Sequence, residues 1–377
     1  VVDANLQGRG GAGFPAGLKW KSVADHFPFP RYIISNIDEY EPGTFKDRVM
    51  THTDPHMIIE GMIITGYAVS AEKAIIFVRP SYESSALILE REISIAKEAG
   101  YLGKNILGSN YSYDIVVHRS GGRYICGEGT AQINAIQGKR PHPVQSPIRS
   151  TEKGLWDKPT VLNNMETLVN VPHILRHGAE WFKNLAKTKT CAGTKLYCVS
   201  GKVNRPGCYE LPMGIRLGEI IDEHGGGMLP GREFKTCLPG GASTYYLQKK
   251  FYDVEMDFDS LKKAGNRLGT GAVIVFDQKT CLVDATLNLI EFFVRESCGW
   301  CTPCREALPF IRDLIWRIEA GEGKEEFIPM LRRMSLHTWK SYCAFAPGAT
   351  MPVTSLLDNF PEEVHEHIRQ RKCPYKE

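Results

Sequence analysis

Cys298, Cys301 and Cys304 form a C-x-x-C-x-x-C run. Thiolates three residues apart on one turning segment converge on a single centre, so this stretch must fold around a bound group rather than into a regular core element. Gly299, Thr302 and Pro303 lie between the thiols and describe a loop, not a buried apolar stripe. The pattern is typical of cubane iron–sulfur binding, in which the fourth ligand comes from elsewhere in the chain. A zinc site more often uses paired C-x-x-C units with a spacer, or histidines. For the fourth ligand, spacing favours Cys343, in a loop-like stretch after a helix, with Cys281 and Cys373 as alternatives. Cys126, Cys191, Cys198, Cys208 and Cys237 read as small core or turn residues.

There are 11 cysteines in all, an odd number that cannot pair completely within one chain. No signal-peptide pattern precedes them, so reduced thiols are expected. The 377 residues allow roughly two or three domains. Lysine plus arginine numbers 46 and aspartate plus glutamate 43, a balance that argues against a nucleic-acid-binding field. The most membrane-like stretch, 57–71, is interrupted by Glu60 and falls short of the roughly 20 apolar residues of a spanning helix. The chain begins with Val and reaches a glycine motif at Gly8, which leads us to expect a further N-terminal segment.

The first half alternates short apolar strands (32–35, 74–78, 113–118) with helical patterns (55–71, 84–98, 160–177). Asp54 and Ser84 are the expected caps of the first two helices, with Pro55 at the first helical position. Such alternation predicts an α/β layer with a mainly parallel sheet. Beyond about residue 186, short strands (195–203, 207–210, 235–238, 271–276) and a helix over 217–223 suggest a small α+β module. From residue 284 onward, amphipathic helices (284–295, 307–320, 325–336, 360–371) predict an all-α domain. The expected domains are therefore 1–186, 187–277 and 278–377.

Two glycine-rich loops stand out. Gly8-Arg9-Gly10-Gly11-Ala12-Gly13 matches G-x-G-x-x-G, but its Rossmann reading needs a preceding strand that the few residues before it scarcely allow. The alternative is a loop that wraps a cofactor in another way. The second loop, from Gly121 to Gly129, follows a strand and opens a helix, a favourable frame for a phosphate. Between them, Asn36, Asp38, Glu39 and Glu41 follow a strand and offer amide and carboxylate groups suited to a flavin edge or ribose hydroxyls; a solvated loop is the alternative. Asn163-Asn164 could add amide donors or cap a helix.

Taken together, these motifs resemble the NADH-binding flavin subunit of respiratory complex I and its relatives in soluble hydrogenases, formate dehydrogenases and flavin-bifurcating complexes. The resemblance runs through Gly8-Arg9-Gly10-Gly11-Ala12-Gly13-Phe14-Pro15, Gly17-Leu18-Lys19-Trp20, Asn36-x-Asp38-Glu39-x-Glu41-Pro42-Gly43 and Lys46-Asp47-Arg48. It continues in Tyr124-Ile125-Cys126-Gly127-Glu128, Asn163-Asn164-x-Glu166-Thr167 and Pro239-Gly240-Gly241, and ends with the cysteine run and Cys343-Ala344. It implies a Rossmann-like FMN-binding α/β domain, a β-grasp (SLBB-like) module and a C-terminal helical bundle with a [4Fe-4S] cluster. It assigns Gly8, Arg9, Gly10, Gly11, Ala12, Lys19, Asn36, Asp38, Glu39, Tyr124, Gly127, Glu128, Asn163, Asn164 and Thr167 to the FMN pocket. It assigns Phe14 and Glu41 to the nicotinamide face, and Cys298, Cys301, Cys304 and Cys343 to the cluster.

The resemblance also implies a function: a hydride passes from NAD(H) or NADP(H) to FMN, and electrons leave singly through the cluster, with no side chain acting as catalytic acid or base. The expected partners are a thioredoxin-like [2Fe-2S] subunit and a larger iron–sulfur subunit, in the cytoplasm or on a matrix side, peripheral to a membrane complex if attached to one. Three departures cluster around the dinucleotide. Gly129 replaces the second glutamate of Cys-Gly-Glu-Glu-Thr, Ser22 stands where the family has an aromatic shortly after Lys-Trp, and Gln145-Ser146-Pro147-Ile148-Arg149 replaces Pro-Pro-Phe-Pro. They raise a second reading, in which the NADH site is degenerate and prefers NADPH or a protein electron donor.

Overall fold

The structure is a computed structural model that describes residues 1–26, 28–145 and 148–376. Ser146 and Pro147, part of the departing stretch above, lie outside the described residues. The chain forms two compact units. The first comprises Val1–Tyr40, Thr44–Tyr197 and Glu210–Ile215, and the second Glu41–Gly43, Cys198–Tyr209 and Arg216–Glu377.

The first unit is an α/β layer. Its elements are α1 (Ala16–His26), β1 (Tyr32–Ile37), α2 (Lys46–Thr53), α3 (Pro55–Ala68), β2 (Lys73–Val78), α4 (Glu83–Glu98), β3 (Asp114–Arg119), α5 (Gly129–Ile136), β4 (Thr160–Asn164), α6 (Met165–His177) and α7 (Ala179–Asn184). The four strands are all parallel, in the order β3-β2-β1-β4. Strand β2 is buried from Ala74 to Val78, a run without polar alternation because helices cover both faces. On one face Ile33, Ile37, Ile76 and Val78 pack with Ile58, Met62, Leu168 and Val171 of α3 and α6. On the other, Ile34, Ile75 and Phe77 pack with Ile133 and Leu155. Helices α3 and α6 approach so closely that a Cβ on Gly61 would fall 2.3 Å from the Leu168 carbonyl oxygen.

Two sequence expectations change here. The helix expected over 160–177 begins only at Met165, because Thr160–Asn164 pair with Tyr32–Asn36 of β1. Apolar content alone does not separate a buried strand from the first turn of a helix. Ser84 is not a cap: α4 starts at Glu83, after a 3-10 turn over Pro80–Tyr82. Asp54 does cap α3, its carboxylate accepting from the Met57 N–H at 3.0 Å.

A second sheet, mixed and four-stranded, runs in the order β6-β5-β8-β7, from β5 (Thr194–Gly201), β6 (Gly207–Pro212), β7 (Phe234–Leu238) and β8 (Ala272–Asp277). Strand β8 pairs in parallel with β5 and antiparallel with β7. Between the strands lie two short helices, α8 (Leu217–Glu219) and α9 (Phe258–Lys263). The helices that follow are α10 (Leu282–Glu296), α11 (Thr302–Arg305), α12 (Ala307–Glu319), α13 (Phe327–Thr338), α14 (Phe345–Asn359) and α15 (Pro361–Gln370). Helix α14 left no amphipathic trace because it is buried nearly all round and contains Pro352. Among the described residues, no helix is long and apolar enough to cross a membrane.

Candidate functional site

Chain order fixes where a ligand can enter the first unit. From β1 the chain moves to β2 and β3 on one side, then returns to β4 on the other, so β1 and β4 flank the point where strand order reverses. In open α/β sheets the crevice outside the carboxyl ends of the strands at such a point is where ligands bind. Asn36 and Asn164 are paired in register at that edge, next to Ser35 and Asn163. The Asn36 amide donates to the Gly127 carbonyl at 3.2 Å and accepts from the Asp38 N–H at 2.8 Å. Asp38 accepts from the Ser120 hydroxyl at 2.6 Å. Asn163 is held by the Trp20 indole N–H at 2.9 Å, and Lys19 donates to the Leu162 carbonyl at 2.7 Å. Tyr124 and Gly127 lie in the 3-10 turn before α5, which Glu128 caps by accepting from the Ala131 N–H at 2.8 Å.

The first glycine loop reaches the same edge without a strand before it. Gly8 and Phe14 close it with a 2.9 Å backbone bond, and Pro15 leads into α1. A Cβ on Gly10 would sit 3.1 Å from that of Asn164, so the loop lies against the end of β4. Gly10 and Ala12 are exposed and Gly11 half-buried, which leaves their peptide groups available to an anion. Arg9 behaves differently. Its side chain is fully buried, donating to the Ala192 carbonyl at 2.7 Å, and its N–H donates to the Thr167 hydroxyl at 2.9 Å. Its guanidinium is therefore spent inside the protein. Phe14 is 48% exposed, a large aromatic surface next to the loop, with the Lys19 ammonium 5.9 Å from its ring centre.

Beneath the asparagines runs a buried charge network. The Lys46 ammonium lies 2.6 Å from Asp47, 2.9 Å from the Asn164 side-chain amide oxygen and 3.1 Å from Glu166. Lys195, at the start of β5, meets the same Glu166 oxygen at 3.0 Å, while the other oxygen accepts from the Leu196 N–H at 2.8 Å. Burial lowers the Lys195 pKa to about 8: Glu166 opposes the shift, and repulsion from Lys46 and Arg9 adds to it. For Glu166, burial works upward, but Lys195, Lys46 and Arg9 outweigh it and hold the carboxyl below its ordinary range. Glu39 is enclosed too, accepting from the Asp47 and Arg48 N–H groups and the Tyr82 hydroxyl. Burial, reinforced by Asp47, raises its pKa to about 7. Sequence reasoning missed Lys195; the one available signal was a lysine inside an otherwise apolar strand.

In the second unit, Glu41 accepts from the Ser243 N–H at 2.6 Å and packs on Gly241, where a Cβ would come within 2.6 Å of its Cγ. Gly241 also has φ near +100°, so Pro239-Gly240-Gly241 needs glycine there on both counts. The cysteine run links α10 to α12 through Gly299, at φ +70°, and α11. Cys304 is buried; Cys298, Cys301 and Cys343 are half-buried. Burial drives the Cys304 thiol up to about 12, a hydrogen bond with Ser297 opposes this, and Cys301, Cys298 and Cys343 push it further up.

The donor sets fit the implied groups. Exposed loop amides, one lysine, three asparagine amides and a carboxylate suit a phosphate and a flat, hydrogen-bonding ring. Three thiols in a C-x-x-C-x-x-C loop, with Cys343 ahead of α14, suit an iron–sulfur cluster.

Comparison with known proteins gives the same reading. The family model described as Nuo51 FMN-binding domain matches residues 1–173, the SLBB domain matches 196–246, and the NADH-ubiquinone oxidoreductase-F iron-sulfur binding region matches 284–367. An F-type NADH-quinone oxidoreductase subunit of Rhizobium meliloti is 45% identical over 376 residues, 100% of this chain and 89% of that protein. This chain belongs to the NADH-quinone oxidoreductase-F family. The corresponding F-type subunit of Escherichia coli is 46% identical over 373 residues, 98% of this chain and 84% of that one. Among solved structures, an NAD+-reducing [NiFe]-hydrogenase in the air-oxidized state matches with a TM-score of 0.86 and 33% identity over 97% of this chain, which spans 61% of that longer chain. The mixed α/β, SLBB and helical architecture is that of the oxidoreductase-F family, and FMN and a [4Fe-4S] cluster are its cofactors. All the candidate flavin residues in the first unit lie within the FMN-domain match, and the four cysteines lie within the iron–sulfur match.

Proposed function

We propose that this oxidoreductase-F chain transfers electrons between a nicotinamide dinucleotide and a larger assembly, taking them in pairs at FMN and releasing them singly through the Cys298–Cys301–Cys304–Cys343 cluster. The observation that carries this reading is the meeting, at the carboxyl ends of β1 and β4, of the glycine loop with Asn36 and Asn164, in the same chain as the C-x-x-C-x-x-C run. Bound FMN accepts a hydride and can give up its electrons one at a time, and a [4Fe-4S] cluster takes one. The chain's own residues bind and orient. The glycine loop offers N–H groups to the phosphate, while Asn36, Asn163 and Asn164 hold the ring edge on a rigid strand terminus. Phe14 offers a face for the nicotinamide. The expected neighbours are a thioredoxin-like [2Fe-2S] subunit and a larger iron–sulfur subunit.

Removing FMN from the purified chain is expected to abolish NAD(P)H-dependent ferricyanide reduction, and adding FMN back to restore it; normal activity in the flavin-free protein would sink the proposal.

Gly129 favours a finer reading, in which NADPH is accepted. Glycine here removes a negative charge from the expected dinucleotide side and leaves room for a 2′-phosphate. A side chain would fit, since a Cβ would meet only Leu162, at 3.5 Å. Gly129→Glu is therefore expected to fold normally and to shift the kcat/KM ratio towards NADH by about tenfold, which is about 1.4 kcal/mol and the size of a solvent-screened like-charge repulsion. Stopped-flow flavin bleaching with each dinucleotide measures this. Fast, tight reduction of the unmodified protein by NADH alone overturns the NADPH reading.

A further inference from the structure

Away from the crevice and the iron–sulfur cysteines, four ligand-type side chains meet inside the helical part of the second unit. Cys281 precedes α10, Glu319 ends α12, His367 lies on α15, and Cys373 follows the left-handed turn at Arg371. One ligand atom from each lies within 4.8 Å of every other. Cys281, His367 and Cys373 are buried, and Glu319 is partly so. The Cys281 sulfur is 3.3 Å from His367 Nε2 and 3.5 Å from Glu319 Oε2, and Nε2 is 3.1 Å from the same carboxylate oxygen. Bonds of about 2.3 Å to sulfur and 2.0–2.1 Å to nitrogen or oxygen around a tetrahedral zinc place neighbouring ligand atoms roughly 3.3–3.8 Å apart, the two sulfurs being the widest pair.

Proton placement adds a second argument. His367 Nδ1 is 2.6 Å from the Glu363 carbonyl oxygen, which can only accept, so the Nδ1–H is committed there. Nε2 then faces a carboxylate oxygen at 3.1 Å, a contact that needs a positive charge, a second ring proton or a metal ion, between the two atoms. An imidazole fixed through one nitrogen by a backbone carbonyl, with the other turned to the centre, is the usual support of a metal-binding histidine. The Asp284 N–H donates to the Cys281 sulfur at 3.3 Å, and the Lys376 ammonium sits 3.0 Å from the other Glu319 oxygen.

We propose that Cys281, Glu319, His367 and Cys373 bind one zinc ion in a closed, four-coordinate site that fastens the C-terminal segment to the helical bundle. Binding displaces the two thiol protons to solvent. Two thiolates and a carboxylate on a divalent ion with a neutral imidazole leave one negative charge, which Lys376 offsets. Four protein ligands leave no open position, so the ion is structural rather than catalytic. The site is separate from the iron–sulfur cysteines. Helix α10 runs from Cys281 to the residue before Ser297-Cys298, and α12 runs from just after Cys304 to Glu319. The two centres thus occupy opposite ends of one helix pair, roughly 20 Å apart at 1.5 Å per residue. Cys281 and Cys373 also fall outside the matched iron–sulfur region, 284–367.

The test is metal analysis of the full chain, purified without oxygen. About one zinc alongside about four irons per chain is expected. Cys281→Ser with Cys373→Ser should lower zinc at least tenfold and leave iron unchanged. Should that variant fail to fold, titrating Co2+ into the zinc-stripped natural chain replaces it. Thiolate-to-metal charge-transfer bands with a tetrahedral d–d envelope are the supporting result. Absence of zinc together with no Co2+ spectrum overturns the proposal and leaves a protonated His367 between the acceptors. Extra iron that disappears in the double variant also overturns the assignment to zinc.

Discussion

Replacing Glu166 by alanine is expected to destabilise the first unit by about 3–5 kcal/mol, the cost of stranding buried charge. Glu166 is the shared counter-ion of Lys46 and Lys195, and all three side chains are at most 3% exposed. Without it, Lys46 keeps Asp47 and the neighbouring Glu39, while Lys195 and the buried Arg9 lose the carboxylate they share. The Leu196 N–H also loses its acceptor. The disturbance reaches the crevice, because Lys46 donates to Asn164, whose amide in turn donates to Asp47 at 2.8 Å. Glu166→Ala should therefore unfold at markedly lower denaturant and hold FMN less tightly. Glu166→Gln, which keeps an acceptor for Leu196, should lose less. Denaturant titration with flavin fluorescence as a second probe measures both. A Glu166→Ala protein within about 1 kcal/mol of the parent would show that the network carries little of the unit's stability.

The second large effect concerns the cluster. Cys301→Ser should reduce iron from about four per chain to less than one, since a weak hydroxyl ligand replaces one of four thiolates. Flavin content and ferricyanide reduction, which draws on the flavin directly, should persist. Transfer to acceptors reached through the cluster should be lost, because the cofactor that carries that step is gone. Cys126→Ser is the control: that thiol is fully buried in the flavin-loop turn and should leave iron intact. Full iron retention in Cys301→Ser would remove Cys301 from the ligand set.

How far the sequence speaks depends on whether a residue's role is local. The cysteine run and the glycine loop are written in consecutive residues, and both are legible before any fold is known. The strand–helix alternation likewise predicts the parallel sheet. What is not legible is pairing at a distance. Residues 160–164 read as helix because nothing nearby reveals that β1, over a hundred residues earlier, supplies their hydrogen bonds. Lys195 is a distant counterpart of Glu166, and no spacing connects them. Arg9 looks from its motif like a ligand group, yet its side chain turns inward to the Ala192 carbonyl. Cys281 and Cys373 enter the sequence reading only as rival iron ligands. Their meeting with His367 and Glu319 depends on how α10, α12 and α15 pack.

The strand order has a consequence in time. Because β4 follows β3 in the chain yet lies beside β1, the crevice is bounded on one side by some of the earliest residues of the unit and on the other by residues more than a hundred positions later. Closing so long a loop is slow and gains nothing until its far end arrives. A nascent chain that has not yet reached Thr167 has the glycine loop but no wall for it to lean on, and Arg9 lacks the hydroxyl that receives its N–H. A chain ending before Thr167 is thus expected to lack one wall of the crevice and to hold no flavin.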